Sequence, residues 1–561
     1  MPRQHDELNT GNLAAARRQD RLWWLCLATY LLFGVIARIQ YRGPSSTSQD
    51  NQQIAQRTLD RLSLLLSPEQ NSHPGGSSEN VLFQQRLTKQ LTDLGLEATA
   101  MPFETDEVAM SNIIARVPGR AGRHPIVFAT HYDSCRFGPG AADAGVCVAS
   151  LVEMAAELMT WQDRSECWLI FTDGEERPQD NAEGLRGAIA LLAGEQTENL
   201  PWGDKVPFVV SLDARGNRGC ALLYETDIHN LASMQLATRI LPRPLVTSSL
   251  MVNVYRQLPN GTDFTVYKNA GWSGWNFALI DGTEHYHQPS DTIENLSQGS
   301  AIHFAKIAIA AARGLSELDD QQLDRVFNST PATFFDLLGQ LIVIYPASWD
   351  KWLLLVGIVL FAVCLQAAAK RTGGSVAREL RQLVFLLLQM AVQVALLSAV
   401  GYLLSKFMQV SGLLPRRFVP GGEWLAQVYL FAPSLWMCIW AKYRLVNVPT
   451  STFLLAFSAA SLLLAGLMLW LLPGGAYLAI VGGIWFGIHS YFSRHLPTAG
   501  GVILQSLLPA LLLAPTFVLL VLALGPAAGG PITLVASLIL LPTLAAFAGQ
   551  PAGNIDPKRL H

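Results

Sequence analysis

Charge is scarce in this chain. Only 15% of its 561 residues are Asp, Glu, Lys or Arg, and the formal net charge is −3. Soluble globular proteins carry nearer about a quarter of charged residues, so an ordinary soluble protein is excluded. A disordered chain is excluded as well, because half of the residues are hydrophobic and disorder requires few of those. Without a basic excess there is no nucleic-acid footprint. Cysteine is sparse too, with seven in all, and none stands in a CxxC or Cys/His zinc-finger spacing. HExxH, GxSxG and GxxxxGK[ST] are missing, which removes the zincin helix, the nucleophile elbow and the phosphate loop.

What the chain has instead is long apolar runs, unevenly placed. The first covers 22–37, opened by Trp23 and Trp24 and preceded by Arg17, Arg18 and Arg21. Arg38-Ile39-Gln40 follows where a cleavage site would need small residues, so the run reads as an uncleaved signal anchor. Seven more lie near 352–369, 383–404, 424–441, 451–472, 476–492, 501–525 and 531–548. About 20 helical residues cross a ~30 Å hydrocarbon core, and spans must satisfy their own backbone groups. The expected organisation is a cytoplasmic tail (1–21), an anchor helix (22–41), an extracytoplasmic domain (42–350), a seven-helix transmembrane bundle (351–549) and a second cytoplasmic tail (550–561).

Basic residues set the orientation. With a cytoplasmic N-terminus and eight spans, the inner side holds Arg3, Arg17, Arg18, Arg21, Lys370, Arg371, Arg378, Arg381, Lys442, Arg444, Arg494, Lys558 and Arg559. The short outer loops hold Lys406, Arg416 and Arg417. Within the spans, His489 is the main ionisable residue. Its place one turn from Arg494 reads as interfacial or snorkelling. Gln389 and Gln393 read as interhelical glue, and Gly483-x-x-x-Gly487 allows close packing. Intramembrane charges are too few for a transporter reading.

The stretch between anchor and bundle alternates strand-like and helical segments. Phe83, Leu87, Leu91 and Leu94 form a helical stripe stopped by Gly95. Apolar strands are expected at 112–117, 125–130, 168–173, 207–212 and 276–280. A helix over 146–160 is expected to turn Cys147, Leu151, Met154 and Leu158 to one side. Continuous apolar strands between helices predict an α/β fold with a mostly parallel mixed sheet covered by helices on both faces. Cys135, Cys147, Cys167 and Cys220 lie here and allow three disulfide pairings.

The strand ends carry the chemistry. The strand at 125–130 runs into His131-Tyr132-Asp133, that at 168–173 into Gly174-Glu175-Glu176, and that at 207–212 into Asp213. Open α/β sheets bind ligands outside their carboxyl ends, so these groups converge. Asp143 stands in a Gly/Ala-rich turn and His287 in a late loop. Mixed His and carboxylate ligands suit zinc-type divalent metals. On a turn, adjacent Glu175 and Glu176 can divide labour between taking the water's proton and binding metal.

HYDS (131–134), GAADAG (140–145), DGEE (173–176), LDARG (212–216) and YHQPSDT (286–292) resemble the M28 family of zinc aminopeptidases. The similarity covers about residues 70–315. The anchor and bundle are similar to the family's membrane-bound branch, the endoplasmic reticulum metallopeptidase and vacuolar membrane protease type or bacterial relatives. The resemblance implies a zinc exopeptidase fold, two Zn2+ ions per chain and a peptide substrate. Asp143 would bridge the ions, with His131 and Asp213 completing one and Glu176 and His287 the other. Glu175 would be the general base and Asp133 would orient His131. Asp263 and Tyr286 would lie near or contact substrate, while Trp272 and Trp275 are expected to pack rather than line the cleft. Glutaminyl cyclases, which use one zinc, are also similar, notably over 173–188; LDARG favours the peptidase branch. A scaffold with a metal kept for stability is a third reading. The catalytic domain is expected in the periplasm of a bacterial inner membrane, or in the lumen of the endoplasmic reticulum or vacuole.

Overall fold

The computed structural model describes residues 2–548 apart from 107, 178–183, 194–199, 244–246, 259–260, 412–422, 446–447, 493–498 and 525–527. Arg416, Arg417, Arg494, Lys558 and Arg559, and the expected 550–561 tail, lie outside the described residues. The chain forms two compact units. One is Gln40–Ala347; the other joins Met1–Ile39 to Ser348–His561.

The Gln40–Ala347 unit is built on a seven-stranded sheet of order β1-β2-β4-β3-β5-β7-β6. The strands are β1 (Glu97–Thr105), β2 (Val108–Val117), β3 (Ile126–His131), β4 (Cys167–Thr172), β5 (Phe208–Ala214), β6 (Arg218–Thr226) and β7 (Ser273–Asp281). The four central strands, β4-β3-β5-β7, are parallel. The edges, β1-β2 on one side and β6 on the other, pair antiparallel. The sheet is therefore mixed with a parallel centre, as its apolar strands predict. Every residue of β3 is buried, because both faces are covered. Phe128 points into a core with Val148 and Leu151 of the helix Val146–Met159 and Phe304 of the helix Gln298–Ser316. Val127 and Ala129 point the other way, onto Ala188 and Leu191 of Arg186–Leu191 and Phe264 and Tyr267 of Asp263–Asn269. Truncating Phe128 to Ala would cost about 3–5 kcal/mol in transfer and cavity terms.

The expected helix at 83–94 is Ser78–Asp93, capped by Ser77 Oγ accepting from Asn80 N, with Phe83, Leu87 and Leu91 buried. Gly95, at φ +76, lets the chain turn away. In Val146–Met159 the burial runs around most of the helix, not one stripe, since it lies between the sheet and the helices Gln49–Leu65 and Gln298–Ser316. Four strands were not expected, two of them in this sheet; the other two, Ala332–Leu337 and Leu341–Pro346, form a separate antiparallel pair. β1 is an exposed edge with an alternating, polar pattern, and β6 is an antiparallel edge carrying irregular register. All four cysteines of this unit are free and buried.

In the other unit the expected runs are helical. Among the described residues, five helices are long and apolar enough to cross a membrane: Asp20–Gln40, Trp349–Arg371, Val376–Val410, Thr450–Leu471 and Ile503–Leu524. Glu423–Arg444 is a further 22-residue helix. Two other expected spans, at 476–492 and 531–548, are shorter helices, Tyr477–Phe492 and Gly529–Leu540. The second continues as a 3-10 turn, Leu541–Phe547, at Pro542, which has no N–H to donate to an α-helical ladder. Gln393 accepts from Trp436 Nε1 at 2.7 Å, and Gly483 lies against Leu462 so closely that a Cβ would sit 2.6 Å from it. His489 does not snorkel. It is buried, and its Nδ1 donates to the Trp485 carbonyl one turn back at 2.9 Å, which satisfies it inside the bundle.

Candidate metal centre

Each candidate ligand is delivered by the end of a parallel strand or by the turn after it. His131 closes β3 and is buried. Asp143 sits on the single wide turn Ala141–Gly145 ahead of the helix Val146–Met159. That turn needs Gly140, at φ +67, where a Cβ would meet the Asp143 carbonyl at 2.5 Å. The peptide between Asp143 and Ala144 is cis. After β4, Gly174 turns the chain at φ +70, placing Glu175 part-exposed and Glu176 buried. Asp213 lies near the end of β5. His287 follows β7 and holds φ +56.

These five side chains meet. His131 Nε2 is 3.2 Å from Asp143 Oδ1 and 3.6 Å from Asp213 Oδ1. His287 Nε2 is 3.4 Å from Asp143 Oδ2 and 2.8 Å from Glu176 Oε1. Asp143 is thus shared by two three-ligand groups, His131/Asp143/Asp213 and Asp143/Glu176/His287; in each, the ligand atoms lie within 4.8 Å of one another. His131, Glu175 and Glu176 make a third such group.

A second layer holds them. His131 Nδ1 donates to the main-chain carbonyl of Asp133 at 3.0 Å, so the proton on that nitrogen leaves Nε2 turned to the carboxylates. The Asp133 side chain is 3.5 Å from the same Nδ1. Its oxygens accept instead from the backbone of Glu175 and Glu176, each at 3.1 Å. Asp291 does the same for the bridging turn, accepting from Ala142 N at 2.9 Å and Asp143 N at 3.2 Å. Nothing local in the sequence marks Asp291 beyond its place in YHQPSDT. Asp173 is also buried, accepting from Asn80 Nδ2, Ser111 N and the Tyr132 hydroxyl.

The electrostatics ask for a cation. Burial pushes Glu175 well above the usual carboxylate range. Burial and nearby Asp143 push Glu176 up to about 7. Burial opposes a charged His131, yet the neighbouring carboxylates of Asp133, Asp143 and Asp213 hold its pKa well above normal. His287 rises to about 10 against its burial, through Asp143 and Glu176. Carboxylates crowded out of water demand positive charge, and here two imidazoles stand in for it. The residues fit a divalent metal by a second test. His131 Nε2 and Asp143 Oδ2 are buried without a hydrogen-bond partner, and such atoms are costly unless something binds them. Neutral imidazole and carboxylate oxygen are the donor set of zinc.

The remaining expected residues fall as follows. Tyr286 stacks on His287 with ring centroids 3.7 Å apart, and Arg215 lies 5.9 Å from its ring. Asp263 opens the helix Asp263–Asn269, is enclosed, and takes the Thr172 hydroxyl. Burial pushes it up to about 7. Trp272 stacks on Tyr267, and Trp275 packs edge-on against Phe208; both are buried in the core.

Residues 112–312 match peptidase family M28. The vacuolar membrane protease of Vanderwaltozyma polyspora is 24% identical over 391 residues, 64% of this chain and 40% of that protein. Human endoplasmic reticulum metallopeptidase 1 is 23% identical over 270 residues, 45% of this chain and 28% of that protein. The chain therefore spans well under half the length of these relatives. Among solved structures, a glutaminyl cyclase from Macrostomum lignano is 20% identical with a TM-score of 0.40, covering 49% of this chain and 94% of that one. With its motifs in place and its strand ends converging as they do, the stretch 112–312 is a peptidase family M28 domain.

Proposed function

We propose that the chain is a membrane-anchored, dizinc aminopeptidase that removes N-terminal residues from peptides outside the cytoplasm. What supports the reading is the division of labour around Asp143. Two three-ligand groups share it, and neither needs Glu175, which stands beside them part-exposed. Zn2+ held by His131, Asp143 and Asp213 and by Asp143, Glu176 and His287 would supply Lewis acidity to the scissile carbonyl and acidify the attacking water. Glu175 takes the proton from that water and returns it to the departing amine. Asp133 fixes the Glu175 backbone against drift during that transfer. Tyr286, fixed on His287, offers its hydroxyl to the substrate carbonyl. The carboxylate-rich floor attracts the substrate's free ammonium, which is the physical case for an exopeptidase.

The charge bias of the sequence supports a domain over residues 42–350 outside the cytoplasm, in a periplasm or a vacuolar or reticular lumen, with the helices embedded in a lipid bilayer. No feature calls for a nucleic-acid partner. The group Asp143/Glu176/His287 is complete by itself and would hold a single zinc, which keeps a glutaminyl cyclase reading as the alternative.

Mass spectrometry of detergent-purified protein with zinc, offered peptides beginning with Leu, Ala, Glu and Gln, separates these. Stepwise loss of N-terminal residues, absent in Glu175→Gln, supports the aminopeptidase. Loss of ammonia from the Gln peptide alone moves the chain to the cyclase reading. No change in any peptide favours a scaffold.

A further inference from the structure

The cleft carries opposite charges on its floor and its lip. Asp143, Glu175, Glu176 and Asp213 form the acidic floor. On the lip, Arg136 is exposed, and its guanidinium lies 4.4 Å from the ring centroid of Phe137, which is itself 52% exposed. Neighbours fix where this pair stands. The Cys135 side chain is buried close to the backbone of Phe137 and Gly138 and to the carboxylates of Glu176 and Asp143. Gly138 lies so close to Gln288 that a Cβ would sit 2.2 Å from its carbonyl oxygen, and Gln288 follows the ligand His287. Arg136 has no carboxylate within 4.0 Å among the described residues. A second guanidinium, Arg215, lies two residues past Asp213, against Tyr286.

We propose that Arg136 and Phe137 form an outer subsite that recognises the free carboxylate end of a short peptide. The inference rests on the peptidase reading and names its substrate class. A peptide whose ammonium sits over the acidic floor and whose chain runs out past Gly138 and Gln288 brings its far end to this exposed pair. A guanidinium there offers a planar fork matched to a carboxylate. The adjoining ring gives an apolar wall to the residue before that carboxylate and holds the guanidinium in one direction through the cation–π contact. Acid inside and base outside match the two ends of a zwitterion. Short peptides with a free C-terminus are therefore preferred over the same peptides amidated, and over long chains whose carboxylate lies far away.

The test compares Leu-Gly-Gly with its C-terminal amide on the full-length, zinc-loaded protein in detergent. An exposed charge-assisted pair gives a KM lower by about 3–10-fold for the acid. Arg136→Gln brings the ratio of the two KM values to about one, and Arg136→Lys, which keeps the charge but not the planar fork, keeps only part of the preference. The ratio within one variant does not respond to a loss of folded protein. A preference that survives Arg136→Gln unchanged overturns the subsite. Calorimetric titration of both peptides into Glu175→Gln, with and without Arg136→Gln, reads the same preference without turnover. Equal affinity for acid and amide in Glu175→Gln alone overturns the subsite whether or not the wild type hydrolyses them. An acid preference that Arg136→Gln removes, in a wild type that hydrolyses neither peptide, supports the subsite and overturns the peptidase reading instead.

Discussion

The carboxylate of Asp133 holds the backbone of Glu175, accepting its N–H on Oδ1 at 3.1 Å while Oδ2 takes that of Glu176. One buried side chain at the end of β3 thereby sets the turn after β4. The proposed base and a proposed ligand are locked to each other, and through the Asp133 carbonyl to His131.

Glu175→Gln keeps the size and most hydrogen bonds of the side chain but removes its capacity to accept a proton. General-base contributions run about 10²–10⁴-fold. We expect kcat to fall within that range with zinc content unchanged. Asp133→Asn differs, because its amide cannot accept from both N–H groups and leaves one buried donor unmet, at about 1–3 kcal/mol. It should lower kcat and zinc affinity together. Metal analysis beside steady-state kinetics on the two variants checks this. Loss of zinc from Glu175→Gln would count against its assignment as base.

Asp291 gives a test of the bridging turn. Its two oxygens accept from Ala142 N and Asp143 N, so Asn at 291 can satisfy only one. Partners of this kind are worth about 10–100-fold in metal affinity. Competition with a chromogenic chelator should show Asp291→Asn weaker by that factor. An unchanged affinity would mean the turn holds Asp143 without it.

How far all this was legible follows from range. β3, β4, β5 and β7 were readable because strands buried on both faces are apolar throughout. The ligands were readable because they interrupt that pattern at strand ends. β1 was missed because its residues, such as Glu97 and Thr99, are exposed on an edge and carry no burial signal. Asp291 was missed because its partners lie 149 and 148 residues away and are backbone groups, which leave no mark on residue type. Asp133 was read from its neighbour His131. Its carboxylate stays 3.5 Å from His131 but also takes partners 42 and 43 residues on, brought to it by the packing of β3 beside β4.

Metal removal should cost both activity and stability. Without a cation, Asp143, Glu176 and Asp213 repel one another across a buried space. Binding that favours only the folded chain adds RT ln(1 + [L]/Kd), about 4 kcal/mol at a thousandfold excess over Kd. Chelation should abolish hydrolysis and lower Tm, and added zinc should restore both. Scanning calorimetry with and without chelator reads the second. A Tm insensitive to chelator would argue that no metal is held.

Acid should weaken the peptidase unit through His303, well away from the cluster. It is buried in the helix Gln298–Ser316, and its Nδ1 accepts from Ala221 N at 3.0 Å, which fixes it as neutral. Burial, aided by Lys306, pushes its pKa down to about 4. An unfolded histidine titrates near 6.5, so between about 4 and 6.5 the unfolded chain binds a proton that the folded one does not. Stability from this residue is therefore complete above 6.5 and is lost as pH falls toward 4, by an amount on the order of 2 kcal/mol. Denaturant midpoints of the zinc-loaded protein should fall from pH 7 to pH 5 less steeply in His303→Gln than in the wild type. The difference isolates this group from the titrating carboxylates of the cluster, which both proteins share. Equal slopes would mean that His303 takes a proton in the folded state at no cost.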